Sequence, residues 1–79
     1  MSRYFFHLHE NGTIVADQEG RALDRTALRD SAIRDARYIL SNDILEGRIS
    51  LDGCIVVEDE QRREVVRVPF REAVTIGGG

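Results

Sequence analysis

The sequence predicts a small α+β domain of ββαββ order, in which one long helix packs on one face of a small antiparallel sheet. Apolar residues recur at helical spacing between residues 25 and 46. Alternating segments rich in β-branched and aromatic residues lie on either side of this stretch, at 3–17 and 54–70. Each flanking segment is long enough for two short strands, so we expect one hairpin before the helix and one after it.

Size and composition limit what the chain can be. Its 79 residues predict a single domain over 2–76, followed by flexible glycines at 77–79. Cys54 is the only cysteine, which excludes an internal disulfide and fits a reducing compartment. There is no run of about 20 apolar residues and no signal-peptide pattern at the start, so we expect a cytoplasmic protein without membrane contact.

The first hairpin is predicted from its turn. Asn11-Gly12 is a strong hairpin signal because both residues tolerate the positive φ of a type I′ turn. A two-residue turn there places Leu8 opposite Val15 and His9 opposite Ile14.

Both ends of the helix carry end signals. The polar segment 17–20 predicts the end of the first hairpin, Asp24 suits the N-cap and Gly47 suits the C′ position. The helix is then about 22 residues and roughly 33 Å long, so we expect one end either to overhang the sheet or to fray. Its apolar arc, which predicts the core, consists of Leu28, Ala32, Ile33, Ala36, Ile39, Leu40 and Ile44.

The other sides of the helix are less apolar. Tyr38 and Leu45 lie two turns apart on one line, and are either isolated exposed residues or a contact stripe. The arginines alternate with acidic residues and predict a salt-bridged surface, with pairs such as Asp30–Arg34. With a net charge of −3, this makes nucleic acid an unexpected partner. The alternating set is Arg25, Arg29, Arg34 and Arg37 with Asp30, Asp35 and Asp43.

The C-terminal part predicts a second hairpin and a short helical turn. The charged and polar link 58–63 must be exposed between its strands. Pro69 cannot donate to a ladder, so the last strand is predicted to be an edge strand or to end there. Phe70, Ala73 and Val74 have the spacing of one helical turn, and Ile76 is a further candidate for covering the core.

Four segments together are typical of one protein family. They are Arg3-Tyr4-Phe5-Phe6-His7-Leu8-His9, Asp17-Gln18-Glu19-Gly20, Ile49-Ser50-Leu51-Asp52-Gly53 and Val68-Pro69-Phe70 with Ala73-Val74. With them the chain resembles, over about residues 2 to 76, a family of small, stand-alone bacterial proteins known as a domain of unknown function. The resemblance implies a small α+β fold and brings no activity and no catalytic residues.

Many members of that family carry a glycine in the turn before the last strand. This chain has 61–63 there without glycine, which predicts a wider loop. The topology is also distantly similar to HicB-type antitoxins.

Few residues suggest chemistry. His7 and His9, two apart on a strand, project to the same face and are weak candidates for metal ligands. Cys54 is either a small apolar filler or a reactive thiol, and a catalytic role would require a nearby base. A histidine can supply that base only if the first and third predicted strands are neighbours in matching register. The acidic loop residues are expected to be solvated, and we expect no cofactor.

The leading hypothesis concerns the sheet face that the helix leaves open. It is too apolar for plain surface, so we expect a protein-interaction module, not an enzyme, that forms a homodimer or binds a protein partner there. The alternatives are a small metal-dependent or thiol enzyme using His7, His9 and Cys54, and an antitoxin-like nuclease inhibitor. The predicted contact residues are Phe5, His7, His9, Ile14, Val56 and Val65 on the sheet, and Tyr38 and Leu45 on the helix.

Overall fold

A computed structural model describes residues 1–75 of the chain. It confirms an α+β fold with a small antiparallel sheet and one long helix. The predicted domain boundary at residue 76, Ile76 itself and the glycines 77–79 lie outside the described residues. The elements are β1 (Ser2–Glu10), β2 (Thr13–Val15), β3 (Arg21–Leu23), a 3-10 turn (Arg25–Ala27), α1 (Leu28–Leu45), β4 (Cys54–Glu58), β5 (Glu64–Pro69) and α2 (Phe70–Ala73).

The sheet is organised around β1. The strand order is β2-β1-β4-β5, and β3 also pairs with β1, alongside the half that β2 leaves free. The first hairpin has the predicted register, because Leu8 pairs with Val15 and His9 pairs with Ile14. Its turn residues Asn11 and Gly12 have φ values of 54° and 74°, as a type I′ turn requires.

The third strand on β1 was not predicted. The segment 17–20 was expected to end the hairpin, but the chain resumes pairing with β1 at Arg21. The Asp17 carboxylate accepts the N–H of Phe6 at 3.1 Å, and so replaces one strand hydrogen bond between β2 and β3. A side chain of this loop therefore pairs with β1 in the gap between β2, which was predicted, and β3, which was not.

The predicted helix ends are confirmed. Asp24 accepts the N–H of Thr26 at 3.3 Å, although the first turn is a 3-10 turn and the α-helix begins at Leu28. At the other end Gly47 donates to the Ile44 carbonyl and Arg48 donates to the Asp43 carbonyl, at 2.9 and 2.8 Å. These two bonds form a Schellman motif.

Helix α1 packs on β4, β5 and α2 through a narrow apolar stripe. Ala32 and Ala36 are completely buried at its centre, and such small side chains let the helix approach the sheet closely. Leu28 and Leu40 complete the buried stripe. The opposing core residues are Tyr4, Phe6, Ile55, Val57, Val68, Phe70 and Ala73.

The C-terminal end of α1 overhangs the core, as its length predicts. Ile44 was predicted to be buried, but 57% of it is exposed because it lies one turn beyond Leu40, the last buried helix residue. Leu45 and Ile49 are exposed at the same end.

The charged side chains of α1 bind residues of other elements, not one another. No ion pair of the described residues joins Asp30 to Arg34, so that predicted pair is wrong. Instead Arg21 of β3 pairs with Asp35 and lies 4.2 Å from the centre of the Phe6 ring. Arg37 donates to the Ala73 carbonyl at 2.6 Å. Charged side chains therefore fasten both flanks of the helix to the rest of the domain.

Candidate functional site

The sheet surface opposite α1 is the candidate site, and we call it the uncovered face. Directly paired residues of antiparallel strands point to the same side, so the ladder register defines its membership. From the β2 edge to the β5 edge, it consists of Ile14, Phe5, His7, His9, Cys54, Val56, Glu58, Arg67 and Pro69.

His7 lies near the middle of this face with both ring nitrogens engaged. Its Nδ1 accepts the N–H of Asp17 at 3.0 Å, and its Nε2 lies 3.1 Å from Oε1 of Glu58. Because Nδ1 accepts, the neutral ring carries its hydrogen on Nε2 and donates it to Glu58. The imidazole therefore serves as a structural bridge between a loop and β4, and offers no nitrogen to a metal or a substrate.

The carboxylate of Asp17 organises the loop beside His7. Burial acts to raise the pKa of this carboxyl, but N–H donation from Gly20, Phe6 and Glu19 and the charge of Arg21 outweigh it. The pKa of Asp17 therefore lies below its ordinary value. The loop is held in one conformation by an ionised side chain at neutral pH.

The same loop approaches the face closely at Gly20. This glycine has a φ of +71°, and a Cβ built on it would lie 2.9 Å from Phe5 Cε1 and from the Tyr4 carbonyl oxygen. Only glycine combines that conformation with that proximity. The loop can therefore lie against Phe5 and form the wall of a cleft.

This cleft, of about 610 Å³, occupies one end of the uncovered face. Phe5 and His7 line it, together with the segment 16–18 and residues of the β4–β5 loop. In that loop the Asp59 carboxylate accepts from the N–H groups of Gln61 and Arg63. The pKa of Asp59 is lowered, chiefly by the Arg63 backbone N–H.

The β4–β5 loop closes tightly without a glycine, whereas a wider loop was expected. Arg62 donates to the Asp59 carbonyl and Asp59 donates to the Arg63 carbonyl, each at 3.0 Å. Only three residues are therefore looped out between Asp59 and Arg63. Arg62 itself adopts a φ of 64°, which non-glycine residues adopt at a cost.

The other end of the face contains the thiol. Cys54 is half-buried and pairs with His9, so β1 and β4 are neighbours in the register that a His–Cys contact requires. Nη1 of Arg67 lies 3.6 Å from Sγ of Cys54. The same guanidinium binds both carboxylate oxygens of Glu64 at 3.0 and 2.8 Å, and this hydrogen bonding raises the pKa of Arg67.

A comparison with protein families identifies the chain. The model of the domain of unknown function DUF6894 matches residues 3–71. The chain belongs to this family. No curated protein matches it, and no solved structure matches it. The predicted membership in a family of unknown function is thus confirmed.

In this DUF6894 domain, the predicted contact residues do not form one continuous surface. Phe5, His7 and His9 are half-buried on the uncovered face, and Ile14 is 62% exposed there. Tyr38 and Leu45 are 61% and 82% exposed, but they lie on α1.

Two valines of the predicted set are less accessible. Val56 lies on the uncovered face between its ladder partners His7 and Arg67, and only 2% of it is exposed. Val65 is the extra residue of a β-bulge, because Val57 pairs with Val66 while Glu58 pairs with Glu64. The bulge turns Val65 toward the core, against which it is partly buried.

Sequence reasoning did not predict the polar residues that shape this DUF6894 surface. Asp17 and Glu58 were expected to be solvated acidic residues, and Arg67 was not singled out. The spacing of Asp17 and Gly20 is a signal, since an Asp followed by a glycine commonly closes a loop through its own carboxylate. The contact of Glu58 with His7 and the contact of Arg67 with Cys54 depend on strand pairing and have no local signal. No group of three metal-binding side chains occurs in residues 1–75, and no helix there has the length and apolarity to cross a membrane.

Proposed function

We propose that this DUF6894 domain is a protein-interaction module that self-associates through its uncovered face. The observation that carries the proposal is the one-sided packing of the domain. Helices α1 and α2 pack against each other and against β5, and α1 also contacts β4. The opposite surface keeps the exposed Ile14 beside half-buried His9, and half-buried Phe5 lies two ladder rows further along β1. Apolar residues on an open sheet face favour association.

The proposal assigns binding to this face, not catalysis. The most central ionisable side chain, His7, donates to Glu58 and accepts from Asp17. A general base needs a free nitrogen within hydrogen-bond reach of its substrate. The same two bonds make His7 a rigid part of the surface, and a rigid surface loses little entropy when it binds.

The strand order supports a symmetric arrangement of two copies. Strands β1 and β4 are the two middle strands of the sheet. A two-fold axis that runs parallel to them, midway between two stacked sheets, therefore brings the whole uncovered face of one copy against that of the other. Each β1 residue then faces, in the second copy, the β4 residue with which it pairs in its own copy. His7 lies over Val56 of the second copy, and Ile14 over Pro69 of the second copy.

The charged residues at the two edges of the face are also complementary about this two-fold axis. Arg67 lies in the β5 edge of the face, in the ladder row of Val56 and His7. At the opposite edge of the face, next to His7, lies the loop that contains Asp17 and Glu19. The N–H of Asp17 donates to His7. The two-fold axis places Arg67 over this acidic loop of the second copy. Opposite charges therefore meet at both edges of the contact, which favours this alignment over others.

The size of the face indicates a weak dimer. Four strands spaced about 4.8 Å apart and five paired residues long give a footprint of roughly 300 Å². Stable specific interfaces bury about 800 Å² of accessible surface per partner. We therefore expect dissociation at tens to hundreds of micromolar, not a permanent assembly.

Sedimentation equilibrium with matched variants tests the proposal. The chain, in a buffer with a metal chelator, is measured from about 10 μM to about 1 mM. Ile14→Lys puts a charge on the uncovered face and is expected to weaken the dimer at least about tenfold. Val15→Lys is the control, because Val15 is the next residue of β2, is 58% exposed and points to the other side of the sheet.

The control also separates this contact from edge pairing. If the two lysine variants weaken association equally, the copies meet along the β2 edge and the face is not the interface. A chain that is monomeric at about 1 mM contradicts self-association altogether.

A further inference from the structure

One ladder pair on the uncovered face combines two zinc-binding side chains. His9 and Cys54 are direct partners on neighbouring strands. Side chains of directly opposite residues begin about 4.5–5.5 Å apart and point the same way. Both residues line a second cleft, of about 360 Å³, at the end of the face away from His7. Imidazole and thiolate are common zinc ligands, and a strand pair holds them at a spacing from which both can reach one ion.

A single copy lacks the remaining ligands. Structural zinc sites are tetrahedral and have four protein ligands. The described residues contain no group of three side chains able to hold a metal. His7 does not add a third ligand, because its two nitrogens bind Asp17 and Glu58. His9 and Cys54 therefore form half of a site.

The two-fold axis of the proposed dimer supplies the other half. It passes between β1 and β4, so His9 lies over Cys54 of the second copy and Cys54 over His9 of the second copy. Packed sheets lie about 10 Å apart, which puts an ion on the axis about 5 Å from each sheet. Zinc bonds of about 2.0–2.3 Å, added to the length of a thiol or imidazole side chain, cover that distance.

We propose that two copies of this chain share one zinc ion held by His9 and Cys54 of each copy. The inference rests on the proposed self-association and assigns it a metal. A shared ion also compensates for the small area of the face, because four metal bonds stabilise a contact that apolar burial alone leaves weak. Binding converts two thiols to thiolates, so each zinc ion taken up releases two protons to the solvent.

Arg67 fits the same arrangement in the metal-free state. Its Nη1 lies 3.6 Å from the Cys54 sulfur, so a cationic donor already occupies the position in front of the thiol that the ion would take. Glu64 holds this side chain from the side away from the thiol. In the dimer the acidic loop of the second copy takes up Arg67, which frees the sulfur for the ion.

Zinc titration followed by sedimentation tests the site. Zinc chloride is added to reduced, chelator-free protein at a concentration where the metal-free chain is monomeric. We expect one zinc per two chains by calorimetry, a doubling of mass, and a thiolate-to-metal charge-transfer band when cobalt replaces zinc. Cys54→Ser and His9→Ala are expected to remove the mass change. Val15→Lys, which changes a residue on the other side of the sheet, is expected to keep it.

The outcomes separate this inference from the proposed function. A dimer that forms in chelator and ignores zinc overturns the zinc site and leaves self-association standing. One zinc per chain without a change of mass, or zinc-driven dimers in Cys54→Ser, also overturns the site. Dimers that also form in chelator, that tighten on addition of zinc, and that Ile14→Lys weakens in both conditions support both.

Discussion

The two faces of this sheet are stabilised by different interactions. On the covered face, Val57 and Val68 are completely buried beneath the small side chains of α1. On the uncovered face, Val56 is buried to almost the same degree, but its ladder neighbours are the polar side chains of His7 and Arg67. The adjacent residues Val56 and Val57 of β4 are therefore buried in different ways. Val57 is covered by apolar side chains, and Val56 lies beneath hydrogen-bonded polar side chains.

The difference shows how a domain this small makes use of a single helix. One helix covers one face, and the other face is completed by hydrogen bonds from Asp17 through His7 to Glu58. Apolar contacts depend on volume, whereas hydrogen bonds depend on geometry and charge. The covered face should therefore respond to changes of size, and the uncovered face to changes of charge and pH.

The largest expected effect is the loss of an aromatic ring from the covered face. Phe70 is completely buried and packs against Gly53. Phe70→Ala leaves a cavity and is expected to cost about 3–5 kcal/mol, enough to unfold much of a domain this small. Urea unfolding followed by circular dichroism measures it. A loss below about 1 kcal/mol would show that the covered face is not a tightly packed core.

The two adjacent valines give a direct comparison of the faces. Val57→Ala is expected to cost about 2 kcal/mol, because the rigid core cannot fill the space. Val56→Ala is expected to cost about 1 kcal/mol, because the long side chain of Arg67 can relax into the gap. The same urea experiment measures both. Equal losses would mean that the uncovered face is packed as rigidly as the covered one.

Asp17→Asn tests the polar side of the comparison. It leaves one acceptor oxygen for three N–H donors, so we expect a loss of about 1–2 kcal/mol at neutral pH. Because folding lowers the pKa of Asp17, its charge stabilises the domain above the ordinary value of 3.8 and ceases to do so as the pH falls through the folded pKa.

The acid part of the stability curve provides the readout for this variant. Wild-type stability should fall between about pH 5 and pH 2, and the fall should be shallower in Asp17→Asn. Asp59 and Glu64 also have lowered pKa values, so some acid dependence remains. Glu19→Gln removes a carboxylate from the same loop and should leave the curve nearly unchanged. An unchanged slope in Asp17→Asn would contradict the role given to this loop.

The smallest expected effect is a gain. Arg62→Gly relieves a positive φ in the loop that lines the large cleft, and should stabilise the domain by about 0.5–1 kcal/mol. Gln61→Gly is the matched control in the same loop, and should be neutral or destabilising. A loss in Arg62→Gly would show that the arginine side chain, not the backbone, matters at this position.

Sequence patterns predicted the features of this domain that depend on near neighbours. The Asn11-Gly12 turn, the N-cap at Asp24 and the helix end at Gly47 were predicted correctly, since each needs only a few adjacent residues. The face of His7 and His9 followed from strand alternation alone. The edge position of Pro69 followed from its missing N–H.

The rest depends on contacts between distant residues. β3 was missed because the bond that joins it to the hairpin passes through the Asp17 side chain to Phe6. Ile44 was misplaced because helical periodicity does not show where the sheet beneath a helix ends. The pairs of His7 with Glu58 and of His9 with Cys54 arise from the β1–β4 ladder, which joins opposite ends of the chain. The candidate site lies mostly on that ladder and was therefore predicted only in part.

The central position of β1 has a consequence for synthesis of the protein. This strand emerges first, and the β1–β2 hairpin can close in about 1–10 μs. Its other edge pairs with β4, so Phe5 remains unpaired on that edge until Glu58 has been synthesised. At about 5–20 residues per second, that wait lasts several seconds, roughly a million times longer than hairpin closure. During that interval the nascent chain exposes an unpaired edge bearing Tyr4, Phe5 and Phe6, which makes the ribosome-bound stage the time of greatest aggregation risk for this fold.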